Sequence, residues 1–489
     1  MSRPATHTTA TLATLVAALS ITAAASAQGV DLQTTCSKDA DSKIDEGLTH
    51  LHNMMYIQAE AAFERAADAD PACAMAQWGI AMANFHPLWP GGPTEDETAR
   101  GTAAAQRLAS MTPGDGIETA FAAAATAFYD PGHDGYRARL AAWAEAQDAA
   151  FEQNSDNVDA AALAALGRLA TAPPGPARIE ANASVGDLLD GLHEAAPDHP
   201  GVIHYAIHAY DNPALKHRGV PYADVYDAAA PEAAHALHMP AHIFTRTGDW
   251  TKSIDLNRRS AEAALKHSED VIQSHYVHAI DYMVYGYLQI GEPEMAAKLI
   301  DQMFAIQNHQ VSFGGAFGLA ASPVRLLLEQ EKWAEAAALS PEMHSAIPWE
   351  KFPQTVAMHW FAKGLGAARS DDVDAARAAA AELKALQAAM EDSGQSYWAD
   401  LTESQIFTIE AWIELSLGNE ARAIELETAA ADLEDKIGKS PVTPGHVLPA
   451  RELLGDMLDQ AGRPDEAAEA YRATLAVSPN RRRSLAALN

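Results

Sequence analysis

Residues 235–250 read HALHMPAHIFTRTGDW, and within them His235, His238 and His242 stand three and four residues apart. On an α-helix that spacing lines the imidazoles along one face. A buried stripe of imidazole is costlier than an apolar one unless each ring finds a hydrogen-bond partner or a ligand. Upstream, HYAIHAYDNP places His204 and His208 at the same i,i+4 spacing, followed by Asp211; downstream, HYVHAIDYMVYGYLQ supplies His278 and Asp281. Imidazole with carboxylate and no thiolate is a donor set for Zn²⁺, Cu²⁺, Fe²⁺ or Ni²⁺, and does not choose among them. No HExxH is present, so the metalloprotease arrangement of two ligands and a base on one helix is absent.

Two other chemistries compete for the same residues. Arg246, one turn after His242, offers a bidentate fork for carboxylate or phosphate, and Tyr282 and Tyr285 offer a stacking wall, which suits a peptide or a small anionic ligand. His52 in LTHLHNMMY and His86 in NFHPLWP join that list if the chain curls back on itself. The plainest alternative is that each histidine ties neighbouring elements together by hydrogen bonds to Asp211, Asp281 or backbone carbonyls. For a whole set of imidazoles and two carboxylates that is an expensive way to build a core. The prediction is therefore one site for a divalent transition metal, formed by His204, His208, His238 and His242 with help from His235, His278, Asp211 and Asp281.

The elements that would position these groups are repeats. The C-terminal stretch ARELLGDMLDQAGRPDEAAEAYRATLAVSPN carries Gly455, Ala467, Tyr471 and Pro479, and EGLTHLHNMMYIQAEAAFERAADADP near the N-terminus carries Gly47, Ala59, Phe63, Ala66 and Pro71. Gly precedes Pro by 24 residues in both. This is the pattern of a tetratricopeptide (TPR) helical hairpin, in which small residues let two helices touch and an aromatic ring fills the gap. Ile207 precedes Pro231 by the same 24 residues, and Ala241 follows 34 later, so His204 takes the place of His238 and His208 that of His242 in consecutive hairpins. For the next hairpin two registers stay open. Matching the turns at Gly248 and Gly291 pairs His278 with His235, whereas matching HAYD with HAID pairs His278 with His208 and Asp281 with Asp211.

Abundant Ala and sparse Val and Ile favour helix. The expected fold is all-α, an α-solenoid of TPR-like hairpins whose first helices line a concave groove. Its expected segments are 28–110, a less regular 111–200, a histidine-rich 201–310, and 311–489. The chain resembles exported bacterial TPR proteins through DPACAMAQWGIAMANFHPLW, HPGVIHYAIHAYDNP, HALHMPAHIFTRTGDW and HAIDYMVYGYLQ. That resemblance implies a fold and a histidine-rich signature but no reaction. Because TPR folds seldom host catalysis, a binding or scaffold protein with a protein, peptide or small ligand in its groove is favoured. A metalloenzyme whose histidines activate water is the other class.

The opening segment, with Arg3, an apolar run from Leu12 to Ala25 and then Ala25-Ser26-Ala27, reads as a signal peptide over residues 1–27, with the mature chain starting at Gln28 and exported to the periplasm or beyond. No apolar run reaches the roughly 20 residues that span a bilayer. Sixty-six acidic against 34 basic residues leave a net charge of −32, which repels nucleic acid. Neither a phosphate loop nor a nucleophile elbow follows a strand. Cys36 and Cys73, 37 residues apart, are predicted to be bonded in an oxidising compartment, although spacing alone does not supply the geometry.

Overall fold

Small residues at the helix crossings decide the architecture. Phe63, on the second helix of the first hairpin (Tyr56–Ala69), packs directly over Gly47 of the first (Lys38–His52) and over Gly79 of the next (Ala74–Met82). A Cβ at Gly47 would lie 2.7 Å from that ring and one at Gly79 2.1 Å, so neither position accepts a side chain without displacing it. At the other end Gly455 meets Tyr471 in the same way, with a Cβ 2.6 Å from the ring. The computed structural model, which describes residues 30–89, 92–268, 270–340 and 343–489, is built of successive helices that pair as hairpins between these two ends. The one extended pairing among the described residues is an isolated bridge between Ile272 and His309. The fold is the expected all-α solenoid. Residues 1–27 and Gln28, read above as a signal peptide and the mature start, lie outside the described residues.

Three consecutive hairpins carry the histidines. Pro200–Tyr210 pairs with Lys216–Ala223; Ala234–His238 and Pro240–Thr247 pair with Trp250–Lys266; Ser274–Ile290 pairs with Pro293–Ala305. Pro240 removes one backbone donor between His238 and His242. The backbone nonetheless stays helical through Met239 (φ −56°, ψ −39°), so the two rings keep one face. Gly248 and Gly291 end their helices in the left-handed conformation, at φ 75° and 82°, where a β-carbon would be strained.

The inner face of these helices is not an open groove. The connection between Glu420–Ile437 and Ala450–Gln460 folds across it: Tyr282 Oη donates to the Pro441 carbonyl at 3.3 Å, and Arg325 donates to the carbonyls of Gly445 (2.9 Å) and His446 (3.1 Å) and to Thr443 Oγ1 (2.6 Å). The C-terminus also closes back on the centre. Trp250 Nε1 donates to the Asn480 carbonyl at 3.0 Å, Asn480 Nδ2 to the Gly248 carbonyl at 3.1 Å, and Arg481 to Tyr285 Oη at 3.2 Å. Repeats more than 190 residues apart in sequence are thus locked together. The N-terminal side is pinned by the Cys36–Cys73 disulfide, with Cα atoms 5.0 Å apart. No helix among the described residues is long and apolar enough to cross a membrane.

Candidate metal centre

The expected register brings the histidines together. His204 and His208 lie ring to ring at 4.7 Å, His238 and His242 at 4.8 Å, and His278 packs on His238 at 4.4 Å. His235 touches His204 (5.1 Å), His208 (6.4 Å) and His238 (6.2 Å), linking the two pairs. His204, His235, His238 and His242 are buried, while His208 and His278 are partly exposed. Two trios form: His204, His208 and His235, and His238, His242 and His278, each with one nitrogen per ring all within 4.8 Å of one another.

Hydrogen bonds at the back of three of the rings set which nitrogen carries the proton. Asn257 Nδ2 donates to the Ser253 carbonyl at 2.7 Å, which fixes the amide and turns its Oδ1 toward His238 Nδ1, 2.6 Å away. His242 Nδ1 faces the Asp211 carboxylate at 2.8 Å, and His204 Nδ1 faces the His52 carbonyl at 2.6 Å. All three partners only accept, so each Nδ1 is the protonated nitrogen and each Nε2 presents a lone pair. The consequence is sharpest between His238 and His242, whose Nε2 atoms face each other at 2.8 Å with no proton assigned to either. The outward-donating ring backed by a carboxylate, amide or carbonyl is how metal-ligating histidines are held.

Electrostatics keep these rings neutral. Burial, reinforced by His242, lowers His208 and His278 to about 3, and burial lowers His275 to about 4. Burial and neighbouring imidazoles push His204, His235 and His238 well below the ordinary range. Burial alone would raise Asp211, but Lys439, Arg246 and His242 outweigh it and hold the carboxylate ionised. Neutral imidazole is the form that coordinates a metal.

The two aspartates take other posts than ligand. Asp211 grips His242 from behind and accepts from Arg246 Nε at 2.7 Å, while the Arg246 Nη2 reaches the Asp211 carbonyl at 3.1 Å. Arg246 is thereby committed to Asp211 and not to an open anion site. Asp281 pairs instead with fully buried Arg325 at 3.1 Å and stands apart from both trios. Asp211 with Arg246 and Asp281 with Arg325 are equivalent clamps between successive first helices, which favours the HAYD/HAID register. Tyr282 Oη stands 3.4 Å from His242 Nε2, within the centre, whereas Tyr285 turns away to Arg481. His86 stacks on Tyr56 at 4.2 Å outside both trios.

His52 belongs to a third group that is already satisfied. Its Nε2 and that of His199 lie 2.8 and 3.0 Å from one Asp159 oxygen. The His199 Nδ1 accepts from the Val202 amide at 3.3 Å, and His52 Nδ1 meets Tyr205 Oη at 3.0 Å. Every ring nitrogen has a partner, so these residues tie three hairpins together without calling for an ion. Asp159, His199, Asn257 and His275 were not singled out in the sequence. His275, i−3 from His278, could have been found by spacing; Asn257 and Asp159 carry no local mark.

No protein-family model matches the chain, and no curated protein matches it. Among solved structures it is similar to a Rap protein complexed with competence and sporulation factor, at 11% identity over 90% of this chain and 97% of that one, with a TM-score of 0.36. It is also similar to the human IFIT1 dimer with PPP-AAAA (12% identity, 91% and 96% covered, TM-score 0.40) and to the P58(IPK) TPR domain (10%, 86% and 99%, TM-score 0.23). At these scores the likenesses carry no argument about site or partner.

Proposed function

We propose that this protein is a TPR-type scaffold that binds a divalent transition metal through His238, His242 and His278 in the interior of its superhelix. The observation that carries this reading is the pair of Nε2 lone pairs at 2.8 Å, each left bare because the other ring nitrogen donates outward. Two facing lone pairs repel unless a cation lies between them, and burial disfavours a proton in that place. The donor set fits Zn²⁺, Cu²⁺, Fe²⁺ or Ni²⁺ and does not decide among them.

A metal is favoured over a peptide because the chain's own residues 439–449 lie across the face that a peptide would use. The cleft beside them, lined by Arg246, Lys439 and His446, is only about 90 Å³. The reading also includes export, which the disulfide supports, and an intact mass beginning at Gln28 in protein from its native host tests that part. For the metal, the melting temperature of chelator-stripped full chain is followed with added Zn²⁺, Cu²⁺, Ni²⁺ or Fe²⁺. Wild type should be stabilised, since a ligand that binds only the folded state shifts the equilibrium. The His238→Gln/His242→Gln variant should show a smaller shift than wild type, and a wild-type midpoint that no metal moves overturns the reading.

A further inference from the structure

A single ion gathering all the histidines does not fit how their nitrogens are grouped: closeness within 4.8 Å holds inside each trio. We infer that the cavity holds two divalent transition-metal ions, the second bound by His204, His208 and His235. This rests on the metal reading above and adds to it a second site with its own ligands.

Two observations carry it independently of the first trio. His204 donates its Nδ1 proton to the His52 carbonyl, so its Nε2 lone pair faces His208 Nε2 at 3.1 Å. That pair taken alone has a simple account, because His208 can turn an N–H toward His204. His235 has no such account. It is 7% exposed, and neither of its ring nitrogens has a hydrogen-bond partner. Whichever tautomer it adopts, one donor and one lone pair are buried unpaired, and each such group bears its desolvation without a bond in return. The ring lies against His204 and His208 on one side and His238 on the other, where a lone pair can serve an ion held by the first two.

Three protein ligands leave each ion an open coordination position. The trios adjoin through His235 and His238, whose ring centroids are 6.2 Å apart, and the ligand class their open positions would take is a small oxygen donor such as hydroxide or a compact oxyanion. Solvent reaches the group at the partly exposed edges of His208, His275 and His278. Trp89, which packs on both His235 and His275, walls the remaining side.

The test is zinc stoichiometry, measured by elemental analysis on full-length chain that has been stripped, reloaded with Zn²⁺ and dialysed. Wild type should retain two zinc ions per chain. His204→Gln/His208→Gln and His238→Gln/His242→Gln should each retain one. His235→Gln guards against misfolding as the explanation, because it breaks no hydrogen bond; it should fold with unchanged helicity and also retain one. One ion in wild type overturns the second site and leaves the first standing, and two ions in folded His235→Gln overturn the assignment of His235 as a ligand of the second. No ion in wild type overturns both.

Discussion

Acidification should unfold the metal-free protein well above the pH at which most carboxylates titrate. At pH 5 the histidines of an unfolded chain are nearly all protonated, since their ordinary pKa is about 6.5. In the folded chain His208, His278 and His446 are held at about 3 and His275 at about 4, while His204, His235 and His238 lie well below the ordinary range. Five carboxyls act the other way: burial raises Glu434 to about 8, Asp45 to about 6, Glu427 well above its ordinary value, and Asp281 and Asp456 above theirs. The lowered histidines, which also include His52 and His242, outnumber the raised carboxyls, so the unfolded state binds more protons than the folded one near pH 5 and stability falls as pH falls. Each proton of that excess is worth about 1.4 kcal/mol per pH unit, so the slope should amount to several times that value. The window opens below about pH 6.5 and closes as the folded-state imidazoles protonate. Urea titrations in chelator from pH 7.5 to 5, followed by near-ultraviolet circular dichroism, should show the midpoint dropping steeply. A midpoint that stays flat between pH 7 and 5 would refute the assignment of neutral, buried imidazoles.

Asp211→Asn should weaken zinc binding about 10- to 100-fold by removing the charge that orients His242, as read by competition with a chromophoric chelator; unchanged affinity would show that this carboxylate does not support the site. Replacing Cys36 and Cys73 together with Ser should cost on the order of 3–4 kcal/mol by opening a 37-residue loop, and two reactive thiols in unreduced wild type would contradict the bond. Gly79→Ala should destabilise by roughly 1–3 kcal/mol or more because its Cβ would overlap the Phe63 ring, which a denaturation curve for the N-terminal repeats checks.

The histidine ladder was legible because helical spacing and repeat register are both written in the residue order, and burial then fixes which face turns inward. Asp211 and Asp281 could be assigned to the ladder but not to their posts. Their arginine partners, Arg246 and Arg325, stand 35 and 44 residues on, and nothing local distinguishes a clamp from a ligand. The open groove was misread for a related reason. Closure depends on residues 439–449 and on Asn480, whose contacts to the centre run through backbone carbonyls that every residue possesses. The same holds for the His52 carbonyl behind His204, and it is these anonymous acceptors that set the tautomers.

X-ray absorption at the zinc edge of full-length protein loaded with one equivalent of Zn²⁺ tests the central claim most directly. The account predicts a first shell of nitrogen at about 2.0–2.1 Å with the outer scattering of at least three imidazoles, reduced when His238→Gln/His242→Gln is combined with His204→Gln/His208→Gln. A shell of oxygen alone, or an imidazole count indifferent to the four substitutions together, would contradict it.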